Sequence, residues 1–565
     1  MKKRMIAFIV ALCCIITLLP SDVFAKKSSR ETADLLISSA QDLREFANRV
    51  NKGESFKGKV VQLTQDIVFD GVSLNNFKTI GIDRKKHSEL TWWARSELEN
   101  YSTWIPYTMK FEGIFDGAFH SITGIDQTDG FCGLFACIGE NGVVKNVTIK
   151  NSKFTNVYGA GIAIFNLGKI ENCHTEGTLN FWSDGAGIAY LNKGLIENSS
   201  NKMDITSRME WSIKMAGIVE YNQGIIRNCY NTGDITGKTG DLYQSAGIAS
   251  INEGGNVENC YNTGNLISFL KREEDSTYWT ISYSGGIVGK NIEANNSGII
   301  QNCYNMGSIF STVYGDVSTW ERNSDSESDG TVGSIVGYSE DGMVRKCYGA
   351  GSIPIIGKHT GTSDYDNESI SAADLQSGYL FAMLNRNRGE NNSWSKWILE
   401  GNSVYPTFAP THEITFLNTI NGYVTSNYSA AYKEQKVTLK AIPNKNCKLS
   451  FLTVVTKTGK TVNTKLVKNG YEFDMPDEEV VIGASFELNY VVSLKASKNG
   501  KIKVNKKAAF EGDKVTLTAT PNKKHKLKAI SVKTITGKKV AVKKVNGKYQ
   551  FTMPKSNVII SASFK

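Results

Sequence analysis

Beyond residue 25 the chain has no run approaching the roughly 18 consecutive apolar residues that a membrane-spanning helix requires, and its last residues, Ser561-Ala-Ser-Phe-Lys565, form no sorting tail. CxxC and CxxH spacings are missing, which removes the usual grounds for a zinc site. No phosphate-cradling loop and no Ser or Cys nucleophile motif is found. Residues 490 to 565 contain no arginine and only two acids, Glu511 and Asp513. These gaps give no reason to expect a membrane span, a metal or a cofactor, and they leave the closing stretch almost purely cationic.

The first residues read differently. Lys2, Lys3 and Arg4, an apolar run from Met5 to Leu19, and Val23-Phe24-Ala25 form the three zones of a secretory signal peptide spanning 1–25. The expected mature protein is exported, soluble and held at the cell surface only non-covalently. Residues 490 to 565 carry 19 Lys against their two acids, a net +17. The whole chain is +10 and its first 25 residues are +2, so residues 26 to 489 sum to −9. A lysine field attracts polyanions as a set of point charges, without bidentate selectivity. Outside a cell the polyanions are anionic wall polymers, acidic glycans and membrane headgroups. No specific nucleic-acid partner is expected. Lysines that only keep an exported domain soluble are the competing reading.

The body of the chain is repetitive. Gly161-Ile-Ala-Ile-Phe-Asn-Leu-Gly-Lys-Ile-Glu-Asn-Cys173 recurs from Gly187 and Gly217, with further copies from Gly247, Gly286 and Gly333 and a divergent one from Gly133. Each such unit buries its apolar side only by stacking on its neighbours. Gly-Ile-Ala-x-x-Asn alternates as a strand, Asn-x-Gly supplies a tight turn, x-Ile-x-Asn-Cys-Tyr-Asn forms the next strand and Thr-Gly turns again. Ile170, Ile196, Ile226 and Ile300 should stack inside. Asn146, Asn172, Asn198, Asn228, Asn259 and Asn302 should form a corner column beside Tyr230, Tyr261, Tyr304 and Tyr348. Identity at every rung is what stacking requires and what a single ligand site does not.

Ahead of the repeats, Ser38-Ser39 cap an amphipathic helix whose buried face is Leu43, Phe46, Ala47 and Val50, ended by Gly53. This helix is expected to cover the open end of the sheet. After the repeats, residues 369–385 read as a second helix that mirrors it. "SAQDLREFANRVN", "VVQLTQDI", "FEGIFDGAFHSITGI", "GLFACIGENGVVKNVTI" and the AGI…NxG…IxNCYNTG repeats together resemble exported proteins with GLUG-type repeats over about residues 35 to 410. That resemblance implies a parallel β-helix of surface proteins and of some metallopeptidase accessory regions. The zinc chemistry of the latter is not carried over, since His412-Glu413 is followed by Ile-Thr-Phe and no His-Glu-x-x-His occurs.

Residues 414 to 487 and 492 to 565 align without a gap at an offset of 78, pairing Val437-Thr-Leu439 with Val515-Thr-Leu517 and Met475-Pro476 with Met553-Pro554. "GDKVTLTATPNKKHKLKAISV…GKYQFTMPKSNVIISASF" resembles the divergent internalin-type B-repeat, a small β-rich module whose family role is spacing and attachment. Residues 411–488 hold nine Lys against eight acids, so only the last module should act as an electrostatic foot. Lys523, Lys524, Lys526, Lys528, Lys538, Lys539, Lys543 and Lys544 are the attachment residues the sequence singles out. The fold expected is all-β, a parallel β-helix with helical end caps followed by two β-rich modules. The division is signal peptide 1–25, flexible lead 26–36, cap and first coils 37–130, repeat β-helix 131–360, C-terminal cap 361–410, first module 411–488 and basic module 489–565.

Cys173, Cys229, Cys260, Cys303 and Cys347 occupy one rung position. Neighbouring strands lie about 4.8 Å apart, which admits either a ladder of buried thiols or disulfides. From Gly161 onward the repeat starts lie 26, 30, 30, 39 and 47 residues apart, so insertions grow toward the C-terminus and emerge as loops on one side. Those loops carry Trp182, Trp211, Tyr243, Tyr278, Trp279, Tyr314 and Trp320, with acids such as Asp184, Glu210 and Asp241 beside them. Aromatic faces beside carboxylates suit a carbohydrate-contacting ledge. Aromatics folded back over the coil are the alternative. For catalysis, Asp116 and His120 are the acid/base candidates, and Glu171, Glu197 and Glu258 recur as a row of equal carboxylates, which a polysaccharide lyase or hydrolase would not use. The expected function is a secreted or surface binding protein, adhesin-like, with a glycan or host protein as ligand and a Lys-rich attachment module.

Overall fold

The computed structural model describes residues 33–69, 76–82, 109–128, 131–207, 212–239, 242–271, 281–294, 297–314, 331–361, 363–389, 391, 393–417, 419–428 and 430–565. They form two compact units, Glu31–Pro410 and one holding Thr411–Lys565. The first is a parallel β-solenoid. In the coil that begins at Gly187 the strands are Ala189–Asn192, Leu195–Glu197, Ser200–Ser207 and Ser212–Ala216. Each pairs in parallel with its counterpart one coil on: Ala189 with Val219, Ile196 with Ile226, Ile205 with Ile235 and Met215 with Ser245. Eight strands from Phe135–Ile138 to Ile356–Thr360 make one continuous parallel sheet. The expected isoleucine stack is present, with Ile170, Ile196, Ile226 and Ile300 fully buried, as are Val257 and Val344 on the same rung. Each such side chain contributes about 2 kcal/mol by leaving water.

Asparagine and glycine exchange the parts that the turn signals suggest. The corner residues Asn146, Asn172, Asn198, Asn228, Asn259 and Asn302 all take a left-handed φ between 52° and 54°, a region asparagine tolerates because its amide bonds locally. Gly194 in Asn-x-Gly is not left-handed. A Cβ there would lie 2.0 Å from the Gly168 carbonyl oxygen of the preceding coil, so glycine is needed for close approach and not for backbone freedom.

Three asparagine ladders tie the coils together. At the corner, Asn172 donates to Asn146 at 3.0 Å, and Asn228, Asn259 and Asn302 each donate to the preceding rung at 2.7–3.0 Å. A second, fully buried ladder runs Asn166, Asn192, Asn222, Asn252, Asn291 at 2.7–2.8 Å. A third runs Asn201, Asn231, Asn262, Asn305 at the same spacing. Gly217 makes room for this last one, since a Cβ there would sit 2.4 Å from the Asn231 amide carbon. Between the ladders stands the cysteine column, whose members are free, buried thiols. Two of these thiols accept the backbone N–H of the cysteine one coil earlier, Cys260 from Cys229 at 3.5 Å and Cys303 from Cys260 at 3.4 Å. Ser199 Oγ and Asn367 Oδ1 do the same for Cys173 and Cys347. The residue type at this rung is therefore set by the need for a small acceptor.

The N-terminal helix α1, Ala40–Asn51, is capped by Ser39, whose side chain accepts the Asp42 N–H at 3.1 Å. Its Phe46 packs among Phe56, Phe111, Phe115 and Phe135 at 5.0–6.4 Å between ring centres, closing the first coils. The second expected helix is two, α2 (Ala372–Gln376) and α3 (Tyr379–Arg388), broken at left-handed Gly378. Nor does this segment mirror α1. It runs along the flank of the solenoid over the corner column: Ser395 N–H donates to Asn228, Trp397 Nε1 to Asn259 at 2.8 Å, Asn302 to the Leu384 carbonyl and Asn387 to the Tyr348 hydroxyl at 2.7 Å. Buried Trp397 lies against the stacked rings of Tyr261 and Tyr304, themselves 5.2 Å apart and 2° from parallel.

The second unit holds two copies of one small fold. In the first copy the five-stranded sheet pairs Thr411–Phe416 in parallel with Val480–Leu488, and the four-stranded sheet runs Gly422–Ser426, Lys436–Pro443, Gly470–Asp474, Lys465–Val467. Val437, Leu439, Val454, Phe473, Met475 and Ile482 fill the space between. Val515, Leu517, Val532, Phe551, Met553 and Ile560 do the same 78 residues later.

Candidate functional site

Of the seven aromatics expected on insertion loops, three lie instead on strands of the solenoid, Trp182 on His174–Ala186, Tyr243 on Leu242–Ala246 and Tyr314 on Ile309–Tyr314. Trp211, Tyr278, Trp279 and Trp320 lie outside the described residues. Asp184, their acidic neighbour, is buried and accepts the Lys214 N–H at 2.8 Å.

The catalytic candidates have structural partners. Asp116 Oδ1 accepts the Ala118 N–H at 2.9 Å and the Asn146 amide at 3.1 Å, and Lys145 Nζ lies 3.6 Å from Oδ2. His120 Nδ1 faces Asp66, 3.4 Å away, across a register shift that separates it from Asp116. The glutamates do not form a row of equal carboxylates. In register along one column stand Asp116, Lys145, Glu171, Glu197, Arg227, Glu258, Gln301 and Arg345, so acids alternate with bases or amides nearly throughout. Lys169 reaches Glu171 at 3.0 Å and Glu197 at 2.7 Å, and Arg227 holds Glu197 at 2.6 Å. Burial works against the Glu197 carboxylate, but Lys169 and Arg227 outweigh it and hold its pKa below the usual range. Burial pushes the Cys173 thiol up to about 12, which leaves it protonated and a poor nucleophile. Among the described residues no group of three or more His, Cys, Asp or Glu could hold a metal ion, and no helix is long and apolar enough to cross a membrane.

Charge that is not spoken for lies in the last 76 residues. In the first copy of the small fold Lys433 pairs with Asp477 at 3.1 Å, Lys436 with Asp474 at 3.3 Å, Lys448 with Glu487 at 3.6 Å and Lys457 with Glu479 at 2.8 Å. The equivalent positions in the second copy are Glu511 and Lys555, Lys514 and Thr552, Lys526 and Lys565, and Ile535 and Asn557. One pair is reversed and three lose their acid. Lys533 stands directly across from Lys539 on paired strands, a like-charge juxtaposition that costs stability. Lys526 and Lys565 exchange two backbone hydrogen bonds and so also face each other. Asp513, one of the two acids, is occupied by Lys506 at 2.8 Å, which holds its carboxyl below the usual range.

The four-stranded sheet of this copy comprises β1 (Gly500–Val504), β2 (Lys514–Pro521), β3 (Lys543–Val545) and β4 (Lys548–Thr552), in the order β1-β2-β4-β3. Strand alternation sends Ile502, Val515, Leu517 and Phe551 inward and leaves Lys501, Lys503, Lys514, Lys543 and Lys548 exposed on the outer face. Of the eight lysines singled out from sequence, only Lys543 lies on that face. Lys523 and Lys524 stand in the turn after β2, Lys526 and Lys528 at and just inside the start of the next strand, Lys538 and Lys539 at the following turn, and Lys544 faces the edge beside Tyr549, its Nζ 5.8 Å from the ring centre. All eight are exposed. Sequence reasoning missed Lys501, Lys503, Lys514 and Lys548 because they are spread over three strands. The 78-residue offset is the signal for Lys514, since it sets Lys514 and Lys543 against Lys436 and Lys465 of the first copy, which stand opposite Asp474 and Glu472.

Comparison with known proteins agrees with the division of the second unit. Residues 412–489 and 490–565 each match the family model of the divergent InlB B-repeat domain. No curated protein matches the chain. Among solved structures, a Bacteroides ovatus protein provisionally named an immunoglobulin A1 protease is similar over 67% of this chain and 93% of its own, at 17% identity and a TM-score of 0.37.

Proposed function

We propose that this modular protein, a β-solenoid followed by two divergent InlB B-repeat domains, is an exported surface-binding protein. In this reading residues 1–25 are the signal peptide that delivers it. The solenoid, built from GLUG-type repeats, displays insertion loops whose aromatics bind a glycan or a host protein. The last domain holds the molecule to anionic wall polymers. One observation carries the attachment: two domains of the same fold stand in tandem, one of them near neutral with four of its nine lysines in ion pairs, the other +17 with 19 lysines and two acids. A solubilising role would be served by interspersed charges of both signs and gives no reason to set lysine opposite lysine. The reading is non-catalytic, supported by the ion pairs that occupy Asp116, Glu171 and Glu197 and by the Gln301 and Trp394 hydrogen bonds to Glu258. The test is elution from whole cells with salt. Release by a few hundred millimolar NaCl is expected, because exposed attractions are screened there. A chain that stays bound at about 1 M NaCl would show that contacts other than these charges hold it.

A further inference from the structure

We infer that the outer face of β1-β2-β4-β3 in residues 490–565 is a binding face for a linear phosphodiester polymer without bases, and that the lysine-rich turns are not the site. This rests on the electrostatic attachment proposed above and names its surface and its ligand chemistry. Five lysines, Lys501, Lys503, Lys514, Lys543 and Lys548, share the face, and among the described residues none pairs with a carboxylate. Most positions between them are neutral hydrogen-bonding groups: Thr518 lies opposite Lys503, Thr520 opposite Lys501, Thr552 opposite Lys514 and Gln550 opposite Lys543, while exposed Val545 lies opposite Lys548. Gln550 Nε2 donates to Thr516 Oγ1 at 3.2 Å and ties the middle strands together on this side. In the first domain the same face carries Lys465 opposite Glu472 and Lys436 bonded to Asp474, and of its lysines Lys440 lies opposite a neutral residue, Thr425.

Geometry and residue type select the ligand. Strands lie about 4.8 Å apart and alternate residues about 7 Å apart, so the lysines form a spaced comb that an extended chain with regularly repeated charges can follow. Lysine is a compact point charge that follows the spacing of an anion chain, and arginine, which would add bidentate capture of carboxylate or phosphate, is absent from this domain. No exposed aromatic ring stands on the face, so it offers no platform for stacking nucleic-acid bases. The hydroxyl and amide groups between the lysines fit the hydroxyls of a polyol backbone. The five-stranded sheet of the same domain is a poorer candidate, because exposed Val491 and Ile559 stand on its strands, against Val545 on the four-stranded face.

The experiment measures affinity of the full chain for soluble poly(glycerol phosphate) at about 50 mM salt, with polygalacturonate and oligothymidylate of equal charge as comparators. Two charge-matched variants are compared. Changing Lys501, Lys503, Lys514, Lys543 and Lys548 to Gln should weaken binding about 100-fold and flatten its salt dependence. Changing Lys523, Lys524, Lys526, Lys528 and Lys538 to Gln should weaken it less than about fivefold, through long-range charge alone. Unchanged thermal midpoints show that both variants fold, and the double change Glu472→Gln and Asp474→Thr in the first domain should tighten binding without removing any lysine. Equal losses from the two five-site variants, or no gain from the double change, would overturn the assignment of the face. Equal binding of either comparator would overturn the ligand class. Failure of the unchanged chain to bind any of the three polymers would instead remove the attachment reading beneath it.

Discussion

The solenoid and the two domains after it are both built by repetition, yet repetition means opposite things in them. In the solenoid, copies lie one strand spacing apart and each residue's nearest neighbour is its own counterpart. Asn222, Asn252 and Asn291 are alike because each is the hydrogen-bond partner of the next. In the tandem domains, Val437 and Val515 are alike because each fills its own core, while outward positions such as Asp474 and Thr552 do not touch and have diverged in charge. Where copies are in contact, sameness reports packing. Where they are not, difference reports use.

The contrast is sharpest in the buried ladder. Asn252→Ala removes an acceptor from Asn222 and two bonds donated to Asn291 and the Gly255 carbonyl, all at 2.7–2.9 Å and out of water. Unmade buried bonds of this kind cost about 1–3 kcal/mol each, so a loss of about 4 kcal/mol is expected in urea unfolding. A loss below about 1 kcal/mol would mean the ladder is not what aligns the coils. A smaller effect distinguishes the acceptor from the thiol. Cys260→Ala strands the Cys229 N–H and should cost about 2 kcal/mol, whereas Cys260→Ser should cost under about 1 kcal/mol, as Ser199 already serves Cys173 in this way. Equal costs would make the column a matter of volume only. The smallest effect has the opposite sign. Lys539→Thr restores the residue the first domain has at Thr461 and relieves the facing Lys533, for a gain of about 0.5 kcal/mol by thermal unfolding. A loss there would break the comparison, since outward positions of the tandem domains would then be under structural constraint too.

The stacked isoleucines, the tyrosine column and α1 were legible because each follows from periodicity and from the identity of successive rungs. The buried Asn166 and Asn201 ladders were not, because asparagine before Gly reads as a turn signal, and only the coil-to-coil distance shows that these amides point inward. The flank position of residues 371–410 was equally hidden. Ser371 and Leu380 announce helices, but nothing local says that Trp397 will bond to Asn259, which precedes it by 138 residues. For the candidate site, composition singled out the last domain, and the density of lysine along the chain drew attention to its turns, whereas the face proposed above is not visible in any one stretch of sequence. Strand alternation and the missing acids, not clustering along the chain, gather Lys501, Lys514 and Lys548 onto one face.

The flank segment has a mechanical consequence. It bonds to the solenoid at Asn228, Asn259, Tyr304, Asn302 and Tyr348, on four different coils, and it leads directly in sequence to the two divergent InlB B-repeat domains. A molecule anchored through residues 490–565 and loaded by flow or by a ligand on its loops would take tension first at the Thr407 and Pro406 end of this segment. The load would then pass along the segment to bonds on four rungs, and not to the last coil alone.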